Sequence, residues 1–163
     1  MWIVGGVHIV GMNRNILSSS EIIKNLDADP IPGPQIPFSI CCQKFAKYSD
    51  TEILMIGGEQ NGEISNKTWI INCQSLTDPT IPFEIKPGPS ILAPRTNFAC
   101  ATMNLNGKSV IVIAGGTNGE SNHFNPKFEA FNTVEILDPS SSEGWKAGKY
   151  ILIFLTSQIL LYK

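Results

Sequence analysis

The chain has 163 residues, 42% of them hydrophobic and 16% charged, with a formal net charge of −2. That composition belongs to a globular protein with enough apolar side chains for a sizeable core. No cluster of Lys or Arg is present, which sets aside a nucleic-acid interface, since one needs a basic stripe. The first residues run straight from Met1 into an apolar segment, so a secretory leader is expected to be absent or to lie outside these residues.

In chain order, three apolar runs each close on a double glycine. They are Trp2 to Gly6, Ile53 to Gly58 and Val110 to Gly116. The leading glycines, Gly5, Gly57 and Gly115, stand 52 and 58 residues apart. A period near 50 residues predicts a repeat architecture, in which one unit cannot bury its own faces. Each run is followed at a similar offset by two aliphatic residues and a polar stop. These segments are Ser18 to Lys24, Asn66 to Asn72 and Asn132 to Pro139. Segments before the second and third runs, Gly33 to Cys42 and Gly88 to Ala101, read as opening strands. Four short strands per period follow, divided by Gly, Pro, Asn, Asp and Ser clusters. The least unsuitable helix is Ser19 to Leu26, but its match to the other third strands favours a strand.

The runs Ile53 to Ile56 and Val110 to Ala114 are continuously aliphatic. Such runs predict strands covered on both faces. A glycine pair at their end predicts backbone angles closed to other residues, where strands crowd.

With these landmarks the chain resembles the Kelch-repeat family over about residues 2 to 149. The resemblance rests on Gly5-Gly6, Gly57-Gly58 and Gly115-Gly116, on Arg95 ahead of a first strand, and on Gly144-Trp145 leading a fourth. It implies an all-β fold, an incomplete Kelch-type β-propeller of four-stranded antiparallel blades. The implied boundaries are an incomplete first blade at 1–32, a second at 33–87, a third at 88–148 and an atypical apolar tail at 149–163. The second repeat departs from the pattern, with Gln35 where the arginine is expected and no tryptophan near Phe83 to Ile85. The first repeat lacks its opening strand and its tryptophan. Propellers close with about four to eight blades. The chain is therefore expected to be a piece of a longer protein, with an oligomerising open stack as the alternative. Alone, it is expected to self-associate or to need missing blades.

After Gly148 the pattern breaks. A Gly-Pro turn like Gly33-Pro34 or Gly88-Pro89 is expected, and Lys149-Tyr150 follows instead. Ala-Gly-Lys-Tyr is encodable as GCA GGT AAG TAT, which contains a splice donor. Residues from about Lys149 onward are therefore read as intron read-through. The apolar stretch Tyr150 to Tyr162 is 13 residues, too short for a membrane span of about 20. An added hydrophobic edge strand is preferred to a span.

The four cysteines, Cys41, Cys42, Cys73 and Cys100, form no C-x-x-C, and His8 and His123 are far apart in sequence. No metal site is expected on spacing. Cys41, Cys42 and Cys100 are placed on first strands and read as small buried hydrophobes, with disulfides as the alternative in a secreted protein. Adjacent Cys41 and Cys42 would face opposite sides of a strand. Asn66-Lys67-Thr68 is a glycosylation sequon, read first as a turn and, if the protein is secreted, as a sugar site. Arg95 is read as solvent-facing or as hydrogen-bonding between blades, and Trp69 and Trp145 as packing between blades.

The resemblance also implies a partner-binding face made by the loops joining second to third strands. It offers Arg14, Glu59, Asn61, Asn118, Glu120 and His123 as candidates, with His8, Asn13 and Gln60 nearby. A copper oxidase of the galactose-oxidase type would need clustered Tyr, His and Cys. The tyrosines here are Tyr48, Tyr150 and Tyr162. No G-x-S-x-G, H-E-x-x-H or P-loop occurs. The expectation is a non-catalytic protein-binding scaffold without cofactor or metal, either an intracellular adaptor or substrate receptor, or a secreted or cell-surface module. Its partner is expected to be another protein, with no nucleic acid and no membrane.

Overall fold

The computed structural model describes residues 1–25, 27–78, 80–119 and 129–148 in full, and 151–155 and 158–162 as backbone strands. The first stretch forms β1 (Trp2–Val4), β2 (Val7–Val10), β3 (Asn13–Ile16), β4 (Ser20–Ile22) and β5 (Ile31–Pro32). The second forms β6 (Ile40–Cys41), β7 (Lys44–Lys47), β8 (Glu52–Ile56), β9 (Glu59–Gln60), β10 (Glu63–Ile64) and β11 (Thr68–Asn72). A 3-10 turn at Cys73–Leu76 then leads to β12 (Ile85–Pro87). The third forms β13 (Ala99–Leu105), β14 (Lys108–Ala114), β15 (Val134–Leu137) and β16 (Lys146–Ala147). The tail strands are β17 (Ile151–Leu155) and β18 (Gln158–Tyr162).

The fold is all-β and antiparallel. Sheet I has the order β1-β4-β5, sheet II β12-β11-β8-β7, and sheet III β13-β14-β15-β16. Each runs through its strands in chain order, as short connections favour. Among the described residues no sheet closes on itself. Strands β2 and β3 pair as a hairpin, and β9 pairs with both β10 and β6. The tail strands pair with each other as a separate hairpin, not as an added edge on sheet III. The residues that join this hairpin to sheet III, Lys149 and Tyr150, lie outside the described residues.

Cores separate the sheets. Val4, Ile36, Ile40, Met55 and Ile71 pack between sheets I and II. Leu54, Ile56, Ile111, Ile113, Leu137 and Trp145 pack between sheets II and III. Val110, Val112, Ala114 and Val134 line the other face of sheet III. Strands β8 and β14 thus send alternate side chains into different cores. This explains why they read as unbroken aliphatic runs rather than as alternation.

The three double glycines occupy equivalent places. Gly5, Gly57 and Gly115 donate to the carbonyls of Ser19, Lys67 and Thr133, each just before a third strand. Gly6 donates to Ile40 at 2.8 Å and Gly58 to Arg95 at 3.0 Å, each tying one sheet to the next. All six glycines have positive φ. At Gly5 the requirement is steric as well, because a Cβ there would lie 1.9 Å from the Ile40 carbonyl oxygen.

These bonds correct several expectations. Ile40, not Gln35, stands where Arg95 stands in the next repeat. Cys42 has φ 58 and is exposed, so it interrupts the expected first strand, which begins only at Lys44. Cys41 is buried in β6, and Cys100 is half-buried in β13. The fourth strand of the second repeat centres on Ile85–Pro87, with Pro87 opposite Trp69 and Ala147 opposite Glu135. Ile85 therefore takes the position of Trp145.

Candidate functional site

The glycine-terminated ends of the sheets carry the segments that join second to third strands. Hairpin β2–β3 turns at Gly11-Met12, and β9–β10 turns at Asn61-Gly62. Asn61 has φ 52 and Gly62 φ 85, the left-handed pair that a two-residue hairpin turn needs. In the third repeat, isolated bridges join Thr96 to Thr117 and Thr117 to Ala130.

Four of the candidate residues, Arg14, Glu59, Asn61 and Asn118, face one another or their neighbours through defined bonds. Arg14, on β3, donates from Nη1 to Glu59 Oε1 at 2.8 Å and from Nη2 to Oε2 at 2.7 Å. This fork joins the first repeat's hairpin to β9, and Glu59 is buried. Arg14 Nη2 also donates to Cys41 Sγ at 3.5 Å, and Cys41 Sγ lies 3.8 Å from Glu59 Oε2. Burial first, then the neighbouring Cys42 and Glu59, pushes the Cys41 thiol up to about 12, against the opposing pull of Arg14.

Asn61 accepts from the Ser39 amide at 3.1 Å, and Asn118 accepts from the Glu129 amide at 2.8 Å. Asn61 thus ties the β9–β10 turn to the segment ahead of β6, and Asn118 ties together two points 11 residues apart in the third repeat. Glu120 and His123 lie outside the described residues. His8 and Asn13 are exposed on β2 and β3. Gln60 is buried; its Oε1 accepts from Trp69 Nε1 at 3.3 Å, while its amide nitrogen has no partner among the described residues.

Arg95 is not at the surface. It is 1% exposed and donates to the Gly115 carbonyl at 2.9 Å, to Thr133 Oγ1 at 3.2 Å and to Glu135. Its guanidinium also lies 4.6 Å from the centre of the Phe131 ring. All these partners belong to its own repeat, so its side chain braces one sheet instead of bridging two. Its backbone reaches across to the second repeat: the carbonyl accepts from Gly58 at 3.0 Å and the amide donates to the Ser65 carbonyl at 3.4 Å. Trp145 packs between sheets II and III and donates from Nε1 to the Pro89 carbonyl at 2.8 Å. Trp69 is half-buried between sheets I and II and stacks on Phe38, with ring centres 4.8 Å apart. Thr68 of the sequon is buried, its hydroxyl donating to the Pro89 carbonyl, and Asn66 is half-buried.

The surface that sequence reasoning missed is apolar. Ile9 is 66% exposed, Val10 57%, and Met12 at the hairpin tip is fully exposed. The signal was available: Val7 to Val10 carries three aliphatics before Gly11, too many for a solvated loop. Among the described residues, no group of three or more His, Cys, Asp or Glu could hold a metal ion. No family model matches the chain, and no curated protein matches it significantly.

Proposed function

We propose that the chain is a segment of a Kelch-type β-propeller that serves as a non-catalytic protein-binding scaffold. The observation that carries the reading is the repeated glycine pair. At each pair the first amide bonds to the residue before a third strand, and at the first two pairs the second amide bonds to the segment that leads into the following sheet. Stacked sheets tied in this way are the units from which a propeller is built. The binding face is the glycine-terminated end. There the Arg14–Glu59 pair holds a hairpin whose apolar tip, Ile9, Val10 and Met12, faces solvent. Partner surfaces combine such apolar centres with a polar rim.

The test is site-specific photo-crosslinking in cells. A crosslinker at Met12 or Asn61 is expected to capture one protein species. The same group at Asp50 or Gly107, in turns at the opposite ends of the strands, is expected to give background. Equal capture from both ends, or none from Met12 and Asn61, overturns the reading.

A further inference from the structure

The dipeptide Asn-Gly occurs three times, at Asn61-Gly62, Asn106-Gly107 and Asn118-Gly119. It carries a reaction of its own, because the glycine amide nitrogen can attack the asparagine side-chain carbon with no Cβ in the way. The first two copies are two-residue hairpin turns, with Gln60 opposite Glu63 and Leu105 opposite Lys108. Their backbones are alike, with φ 52 and 85 in one turn and φ 53 and 80 in the other. Local sequence and turn geometry therefore do not rank them. The bonds that the fold supplies do.

At Asn61 the Ser39 amide donates to Oδ1 at 3.1 Å, and the Ser39 hydroxyl adds a longer bond at 3.4 Å. Both donors sit on the atom that gains negative charge when the side-chain carbon is attacked. The Gly62 amide makes no hydrogen bond among the described residues, and the space around that glycine is open. Both residues are exposed, so water reaches them. At Asn106 the arrangement is inverted. The Gly107 amide, which would attack, donates to Asn104 Oδ1 at 2.9 Å. At Asn118 both ends of the side-chain amide are tied, Oδ1 by the Glu129 amide at 2.8 Å and Nδ2 by Glu129 Oε2 at 3.4 Å. The Gly119 carbonyl is held as well, by the Thr117 hydroxyl at 2.9 Å.

We propose that Asn61 is a self-modification site, at which the folded chain converts the side-chain amide to a succinimide and then to aspartate or isoaspartate. Water takes the Gly62 amide proton, and the nitrogen bonds to Asn61 Cγ after the intervening peptide rotates. The Oδ1 oxyanion that forms is held by the Ser39 donors. Its collapse breaks the Cγ–Nδ2 bond, and Nδ2 takes a proton from water and leaves as ammonia. A second water opens the ring at either carbonyl and restores the Gly62 N–H. The net change is one water consumed and one ammonia released, with no oxidant or reductant. The product places a new carboxylate on the glycine-terminated end, two residues from Glu59. In the isoaspartate form the turn is longer by one methylene, which displaces Gln60 from Glu63. The inference rests on the bonds of this turn and holds whether or not the chain is a binding scaffold.

The test incubates the 163-residue chain in mildly alkaline buffer and follows each Asn-Gly by peptide mass spectrometry, with fragmentation to separate aspartate from isoaspartate. In the folded chain Asn61 is expected to react at least fivefold faster than Asn106 or Asn118. In urea the three sites are expected to react within about twofold of one another, because the donors are then gone. A second variant tests the protection at Asn106. Asn104→Ala, on an exposed turn, frees the Gly107 amide and is expected to speed Asn106 at least threefold while leaving Asn61 unchanged. Earlier reaction at Asn106 or Asn118 in the folded chain overturns the proposal. So does the same ranking in urea, which would assign it to local sequence, or an Asn106 rate that Asn104→Ala does not move.

Discussion

Arg95 donates to Glu135 in a pocket where the two side chains are 1% and 3% exposed. The equivalent positions one repeat earlier hold Ile40 and Trp69, which sit in an apolar core. One backbone frame thus accepts a buried ion pair or two hydrophobes. The ion pair is held by more than Coulomb attraction. Glu135 Oε2 also accepts the Leu92 amide at 2.7 Å, so the carboxylate organises the linker into sheet III.

Removing one partner should therefore cost more than removing both. Arg95→Ala leaves Glu135 buried and uncompensated, and a loss of about 3–5 kcal/mol is expected. Arg95→Ile combined with Glu135→Leu should recover at least half of that. Urea unfolding of the three proteins checks it. A double variant no more stable than Arg95→Ala would show that the pair is needed for something besides charge neutralisation.

The glycine pairs separate backbone strain from crowding. Gly11 has φ 60 with open space around a would-be Cβ, so Gly11→Ala should cost about 1–2 kcal/mol from the left-handed backbone alone. Gly5 has φ 64 and would also drive its Cβ into the Ile40 carbonyl oxygen. Gly5→Ala should cost roughly twice as much, since overpacking adds about 1–3 kcal/mol. Equal losses in denaturant titrations would contradict the close approach of sheets I and II.

Thiol labelling should rank the cysteines by their surroundings. Cys42 is exposed, while burial drives Cys41 to about 12 and Cys100 to about 11. Because the thiolate is the reacting form, iodoacetamide at pH 8 should modify Cys42 first in the folded chain. Cys41 and Cys100 should react only on unfolding. Peptide mass spectrometry reads the order, and labelling of Cys41 as fast as Cys42 would refute it.

Asp138 gives a pH signature. Hydrogen bonds from the Ser140 hydroxyl, then from Lys108, with the Ser140 amide adding, hold its carboxyl at about 2. Its folded value lies below its unfolded value, so its contribution is complete above about pH 4. That contribution is lost as pH falls toward 2. Carboxyl NMR should show the midpoint near 2 and a rise in Ser140→Ala. An unchanged midpoint in that variant would remove the hydroxyl as the main cause.

Much of the repeat was legible because its cause is local. Val110 to Gly116 must be a strand buried on both faces whatever surrounds it, and a glycine pair is the natural residue choice where φ is positive. The hairpin turn at Asn61-Gly62 is equally legible, because Asn-Gly is the local signature of a two-residue turn. Arg95 was not legible, because its partner Glu135 lies 40 residues away and nothing in the local pattern links them. The place of Ile40 is legible in the spacing, since it stands seven residues after Gly33 as Arg95 stands seven after Gly88, and each is followed two residues on by a left-handed residue, Cys42 or Asn97. An aliphatic side chain where the next repeat has an arginine is what hides the match.

By itself, then, the amino-acid order determined that this is an antiparallel all-β repeat with three glycine-closed strands. Periodicity and backbone permissiveness are properties of short segments. Only the tertiary structure decided which polar groups are buried and which apolar side chains reach solvent. Those outcomes depend on what a neighbouring sheet brings within hydrogen-bonding distance, and contacts between residues about 40 positions apart leave no trace in either sequence alone.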